Sequence, residues 1–102
     1  MAVLTEAVID IASATTTILV AAASGRIVKV YRLIVFANGA NTLTWQDSGA
    51  AVLYPAMAFA ANSGLVLDEY GYPWMTTPAG LGLSLVTSAA AQVSGRVYYS
   101  QA

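Results

Sequence analysis

Five turn signatures divide this chain into short runs: Ser24-Gly25, Asn38-Gly39, Asp47-Ser48-Gly49, Asn62-Ser63-Gly64 and Pro78-Ala79-Gly80. Gly reaches positive φ freely, Asn, Asp and Ser bond their own backbone, and Pro presets φ for a turn. The runs between these breaks are rich in Val, Ile, Leu, Thr and Tyr. The pattern predicts strands at Val3–Ile11, Thr16–Ala22, Arg26–Ala37, Thr42–Gln46, Leu53–Ala61, Leu65–Leu67, Leu81–Val86 and Val93–Ser100. A ninth, short piece is expected at Tyr72–Thr76. Ala is the strongest helix former, and Ala89-Ala90-Ala91 could open a helical turn, but no segment holds a helical period for three turns. About eight short strands in 102 residues predict one all-β domain over residues 1–102, a β-sandwich. No Cys–Trp–Cys framework is present, so a jelly-roll-like sandwich is expected over an immunoglobulin-like one.

Side-chain alternation assigns faces within these strands. Leu43 and Trp45 alternate with Thr42, Thr44 and Gln46, the pattern of a half-buried strand. Leu53, Met57 and Phe59 share one face, opposite Tyr54, Ala56, Ala58 and Ala60. Val93, Val97 and Tyr99 alternate with Ser94, Arg96, Tyr98 and Ser100. The run from Ile27 to Phe36 is different. Val28, Val30, Ile34 and Phe36 share one parity, while Ile27, Tyr31, Leu33 and Val35 occupy the other. A strand apolar on both faces is covered on both. In a single thin sandwich the second cover is another subunit, so Ile27, Tyr31, Arg32, Leu33 and Val35 are the expected subunit interface. Arg32 has the parity of Val28, Val30 and Ile34, so it is either paired with a charge across that interface or displaced by a β-bulge.

Composition supports an assembling chain. Hydrophobic residues make up 58% of the sequence and charged residues 9%; soluble domains usually carry about 25% charge. A monomer of this mass should expose roughly 5,400 Å². Nine charged side chains (four basic, five acidic) cover such an area sparsely, and the net charge of −1 gives little repulsion between copies. Membrane insertion is not expected. The apolar stretch Ala7–Ala23 is interrupted by Asp10, Ser13 and Thr15-Thr16-Thr17, and Val52–Ala61 is short and contains Pro55. The first basic residue is Arg26, after Glu6 and Asp10, so no secretory n-region is visible.

A search for chemistry returns little. The chain has no His and no Cys, which removes the commonest general base and metal ligand and the strongest nucleophile. Ser84 lies in Gly82-Leu83-Ser84-Leu85-Val86, without the second Gly of a nucleophile elbow. Gly80 and Gly82 lack a third Gly at dinucleotide-binding spacing. Asp68-Glu69 is the one acidic pair, and neighbours on a strand point to opposite faces. A loop could turn both toward a cation, but no third carboxylate is near, so solvated turn residues are expected. Arg26, Lys29, Arg32 and Arg96 are too few for nucleic-acid affinity, which scales with phosphates neutralised. The expectation is a non-enzymatic chain with no cofactor, no metal and no nucleic-acid partner. Tyr70, Tyr72 and Trp74 concentrate aromatic surface in one loop beside Asp68-Glu69. They either fold back on the sandwich end, contact a partner, or stack a sugar.

Three segments carry a resemblance: Gly25-Arg26-Ile27-Val28-Lys29-Val30 with Leu33-Ile34-Val35; Ala56-Met57 through Ala60-Ala61-Asn62-Ser63-Gly64; and Gly80-Leu81-Gly82-Leu83-Ser84-Leu85 through Ser88-Ala89-Ala90-Ala91-Gln92-Val93-Ser94-Gly95. From Ser24 onward the chain resembles small β-rich virion structural proteins of tailed phages and prophages. The resemblance implies a capsid decoration (cement) protein on the capsid surface, a jelly-roll-like homotrimer that clamps the major capsid protein. Its alternative is a tail, fibre or baseplate module with receptor or glycan binding. The family role is packing, so no catalytic or ligand residues carry over. The aromatic loop at Tyr70–Trp74 departs from the likeness.

Overall fold

The computed structural model describes residues 4–68 and 72–102. Over these described residues it is all-β, with nine strands in two antiparallel sheets. In chain order these are β1 (Thr5–Ile11), β2 (Thr16–Val20), β3 (Val28–Ala37), β4 (Asn41–Asp47), β5 (Val52–Phe59), β6 (Ser63–Asp68), β7 (Met75–Thr76), β8 (Leu83–Thr87) and β9 (Val93–Gln101). Sheet A runs β1-β9-β3-β6, with β7 also on β3, and sheet B runs β2-β8-β4-β5.

The pairings β1·β9, β2·β8, β3·β6 and β4·β5 are nested about the β4–β5 hairpin. The chain is thus one long antiparallel ribbon, folded at that hairpin and wound so that successive segments lie in alternate sheets. That connectivity is a jelly roll. The short strand β7 extends the same line as β6: β6 pairs the C-terminal part of β3, from Arg32↔Asp68 to Ala37↔Ser63, and β7 pairs Lys29 and Val30. Strands β6 and β7 therefore occupy two parts of one edge of sheet A.

The core lies between the sheets. Sheet A contributes Ile9, Ile11, Val28, Val30, Leu33, Val35, Val93 and Val97, and sheet B contributes Val20, Leu43, Trp45, Leu83 and Leu85. Strand β4 follows its sequence pattern, with Asn41, Leu43, Trp45 and Asp47 buried between half-buried Thr42, Thr44 and Gln46. The two ends of that inward row are polar because they anchor loops. Asn41 accepts through Oδ1 from the Ser88 and Ala89 amides and donates through Nδ2 to the Ala89 and Ala91 carbonyls. Asp47 Oδ1 accepts from the Gly49 and Ala51 amides, at 2.8 and 3.1 Å, and so shapes the β4–β5 turn. The left-handed residue in that turn is Ala50, at φ 69°, and not the neighbouring glycine. Thr77 and Thr87 are also buried: the Thr77 hydroxyl accepts from the Val28 amide and donates to the Leu81 carbonyl, and the Thr87 hydroxyl accepts from the Thr15 amide and donates to the Ser13 carbonyl.

Two expectations about faces are corrected here. Register in β3 slips between Val30 and Arg32 against β9, so Tyr31 is the extra residue of a β-bulge. Before the bulge the core side is Val28 and Val30; after it the core side is Leu33, Val35 and Ala37. Apolar residues on both parities therefore reflect one core-facing line that changes parity, and not two covered faces. In β5, register slips opposite Trp45 on both sides. Leu53 and Tyr54 consequently both pack on the core with Met57 and Phe59, instead of lying on opposite faces.

Candidate functional site

The expected subunit interface does not survive as a unit. Leu33 and Val35 are 1% and 2% exposed, buried in the chain's own core, so neither can meet a second subunit. Ile27 and Tyr31 are half-buried. Arg32 is exposed, turned outward by the bulge, and its Nε lies 3.7 Å from Asp68 Oδ2 of the facing strand. Its guanidinium sits 5.5 Å from the ring centroid of Tyr98. The ion pair expected across an interface is thus made within the chain. Of the two readings that its parity allowed, the bulge is the one found.

Of the aromatic loop, Tyr70 lies outside the described residues, as does Glu69. Tyr72 is 80% exposed, while Trp74 is half-buried, and the Trp74 amide donates to the Val30 carbonyl at 2.7 Å. The structure separates their roles: Trp74 ties the loop to sheet A and Tyr72 projects from it. Among the described residues no group of three or more His, Cys, Asp or Glu could hold a metal ion.

What the fold does assemble are two broad outer faces, and the strand register reads them out. On sheet A one cross-strand row is Glu6, Tyr98, Arg32, Asp68; the next is Val8, Arg96, Ile34, Val66; the third is Asp10, Ser94, Phe36, Gly64. Lys29 shares this face at the far end of β3. All three basic groups, Lys29, Arg32 and Arg96, stand on the central strands β3 and β9. All three acidic groups, Glu6, Asp10 and Asp68, stand on the edge strands β1 and β6. Arg96 reaches Glu6 at 2.9 Å, and a shallow, open depression between Val8, Asp10, Ile34, Ser94, Arg96 and Tyr98 runs along this ladder. The exposed aliphatic side chains Val8 and Val66 stand at the two ends of the middle row.

The outer face of sheet B is built differently. Ile18, Ser84, Gln46 and Val52 form one row, and Thr16, Val86 and Thr44 the next, with Thr42 beside Ala58 beyond them. Every outward residue of these strands is uncharged. Ile18 and Val52 are 64% and 57% exposed at opposite edges of the face. Alternation picked out Thr42, Thr44 and Gln46 as the outer side of β4, but the charge difference between the two faces needs the strand order, which no local pattern contains.

Among known proteins, no family model, no curated protein and no solved structure matches this chain.

Proposed function

We propose that the chain is a structural module of a protein particle, a homo-oligomeric capsid decoration protein that binds the assembled shell of a tailed phage through the major capsid protein. Fold alone does not decide function, since jelly rolls serve as capsid proteins, lectins and enzymes. The observation that carries the reading is the exposure of large aliphatic side chains on both broad faces of the sandwich, Val8 and Val66 on one, Ile18 and Val52 on the other. The buried polar side chains Asn41, Asp47, Thr77 and Thr87 have a structural use, since each holds a loop to the sandwich. The resemblance from Ser24 onward supplies the shell and the trimer as the kind of assembly to test.

The mechanism is linkage. A protein that binds assembled shell, and not separate shell subunits, stabilises the assembled state by mass action. Cryo-electron microscopy of particles with and without the protein should show density at repeated sites on the head, and particles carrying it should release their genome at a higher temperature. Equal heat resistance in both preparations would count against a decoration role. The exposure of Tyr72, close before β7 in the chain, favours one second reading, a tail or fibre module that contacts a receptor. Density confined to the tail, or glycan-array binding lost on Tyr72→Ala, would decide for that reading.

A further inference from the structure

We infer that copies of this chain associate through the outer face of sheet B, which turns inward to the symmetry axis of the oligomer, while the outer face of sheet A turns away from it. This rests on the reading of the chain as a self-assembling module and adds the surface by which it assembles.

Strand edges are the first alternative, because an open edge offers unpaired backbone groups to a second copy. Each edge here is interrupted. Strand β2 is five residues long and its pairing slips between Ile18 and Val20. Strand β5 contains Pro55, which has no amide to donate, and its register breaks twice against β4. The edge beside β3 is divided between β6, which ends at Asp68, and the two-residue β7 that starts at Met75. Strand β1 carries Glu6 and Asp10. Association by sheet extension would meet one of these obstacles at every edge.

The faces then differ in what burial would cost. Turn sheet A inward about a two-fold axis, and central strands lie over central strands and edges over edges. With the axis through the middle of the face, the strands carrying Lys29, Arg32 and Arg96 would cover the same two strands of the second copy, and the acidic edges with Glu6, Asp10 and Asp68 would cover acidic edges. About a three-fold axis the basic strands converge on the axis and acidic edges of neighbours meet. Either way like charges oppose one another and are desolvated together. Setting sheet A of one copy on sheet B of another buries the same charges against a face that offers no counter-ion. Sheet B on sheet B meets no such penalty. Depletion of charge is the compositional mark of an interface centre, and this face has no charged group at all. The body measures 36 × 26 × 20 Å, which bounds a broad face at no more than about 900 Å², the order of the roughly 800 Å² per partner in a standard interface.

The test is the solution mass of face-specific variants, by light scattering on the full chain. Wild type should run at a multiple of 10.5 kDa. Ile18→Glu and Val52→Glu should weaken association at least tenfold and give the monomer mass, while Val8→Glu and Val66→Glu should leave the oligomer intact. Circular dichroism of each variant separates dissociation from unfolding. Because the chain has no cysteine, a gentler pair gives a second readout: Gln46→Cys copies should cross-link to one another with a short bis-maleimide, and Val66→Cys copies should not. Dissociation by the sheet A variants, with cross-linking at position 66, would overturn the choice of face and leave the assembly reading standing. A wild-type chain that stays monomeric at every concentration would overturn both.

Discussion

Gly95 of β9 lies so close to β3 that a Cβ on it would overlap the carbonyl oxygen of Ile34 and stand 3.0 Å from Val35 Cα. The obstruction is backbone within a paired sheet, and backbone cannot rotate aside as a side chain can. Gly82 is in the same position, since its Cβ would meet the Val20 carbonyl and lie 2.8 Å from the Ala22 amide nitrogen. We therefore expect Gly95→Ala and Gly82→Ala each to destabilise the fold by about 3 kcal/mol, at or above the usual range for overpacking. Gly25→Ala is the control. Nothing lies within 4 Å of its Cβ, and only its φ of +70° is unfavourable, so about 1 kcal/mol is expected. Urea unfolding of the three variants reads the difference, and equal midpoints for Gly25→Ala and Gly95→Ala would refute the steric account.

Asn41 offers a second measurable dependence. Its amide joins β4 to the β8–β9 loop through two accepted and two donated bonds to backbone groups. Asn41→Ala leaves four backbone groups to find water or go unpaired, at about 1–3 kcal/mol for each that stays buried. Part of the loop will relax toward solvent, so a net loss of about 3 kcal/mol is expected. Faster amide hydrogen exchange at Ser88 and Ala89 should accompany it, while the β4–β5 turn held by Asp47 keeps its protection. Loss of protection spread evenly over the sandwich would mean the contact is global and not a loop anchor.

These two cases mark how far the sequence could be read. All nine strands were legible, because turn chemistry at Gly25, Gly49, Asn62 and Gly80 and β-branched runs between them are local signals. The jelly roll was reached by elimination and by strand count, and its nested pairing fits that expectation. Faces were legible only where strands are regular, as in β4. In β3 and β5 the bulges at Tyr31 and opposite Trp45 change parity, and the parity argument for an interface at Leu33 and Val35 failed there. Arg32 did carry a warning, a charge at core parity, and the bulge is what it signalled. The segregation of charge between the sheets depends on which strands are neighbours, a property of the wound ribbon and not of any segment.

The parity change in β3 makes a prediction of its own. Leu33 is core and Phe36 is outer face, whereas strict alternation from Val28 puts Phe36 inside and Leu33 outside. Leu33→Ala should cost about 2–5 kcal/mol, the usual range for a buried leucine. Phe36→Ala should cost less than about 1 kcal/mol, as for an exposed side chain. Leu33→Lys should prevent folding and Phe36→Lys should not. Thermal melts followed by circular dichroism distinguish the two orders, and a more damaging change at Phe36 than at Leu33 would restore the regular strand.

The charged ladder on sheet A should contribute little to stability in the free chain, which is the sense in which that face belongs in water. Arg96 and Glu6 are 2.9 Å apart, and Arg32 and Asp68 3.7 Å, with all four side chains 40–54% exposed. Exposed pairs of this kind couple by about 0.2–1 kcal/mol, because solvent screens them and two long side chains must be held still. A double-mutant cycle on Arg96→Ala and Glu6→Ala should return a coupling in that range at low salt and almost none at 1 M, where the screening length is near 3 Å. A coupling of several kcal/mol that resists salt would mean the pair is desolvated. In a chain whose sheet A faces water only a covering partner could do that, so the same measurement, repeated on the oligomer, reports which face the assembly hides. With sheet B turned inward, the coupling between Arg96 and Glu6 should be as weak and as salt-sensitive in the oligomer as in the dissociated Ile18→Glu variant.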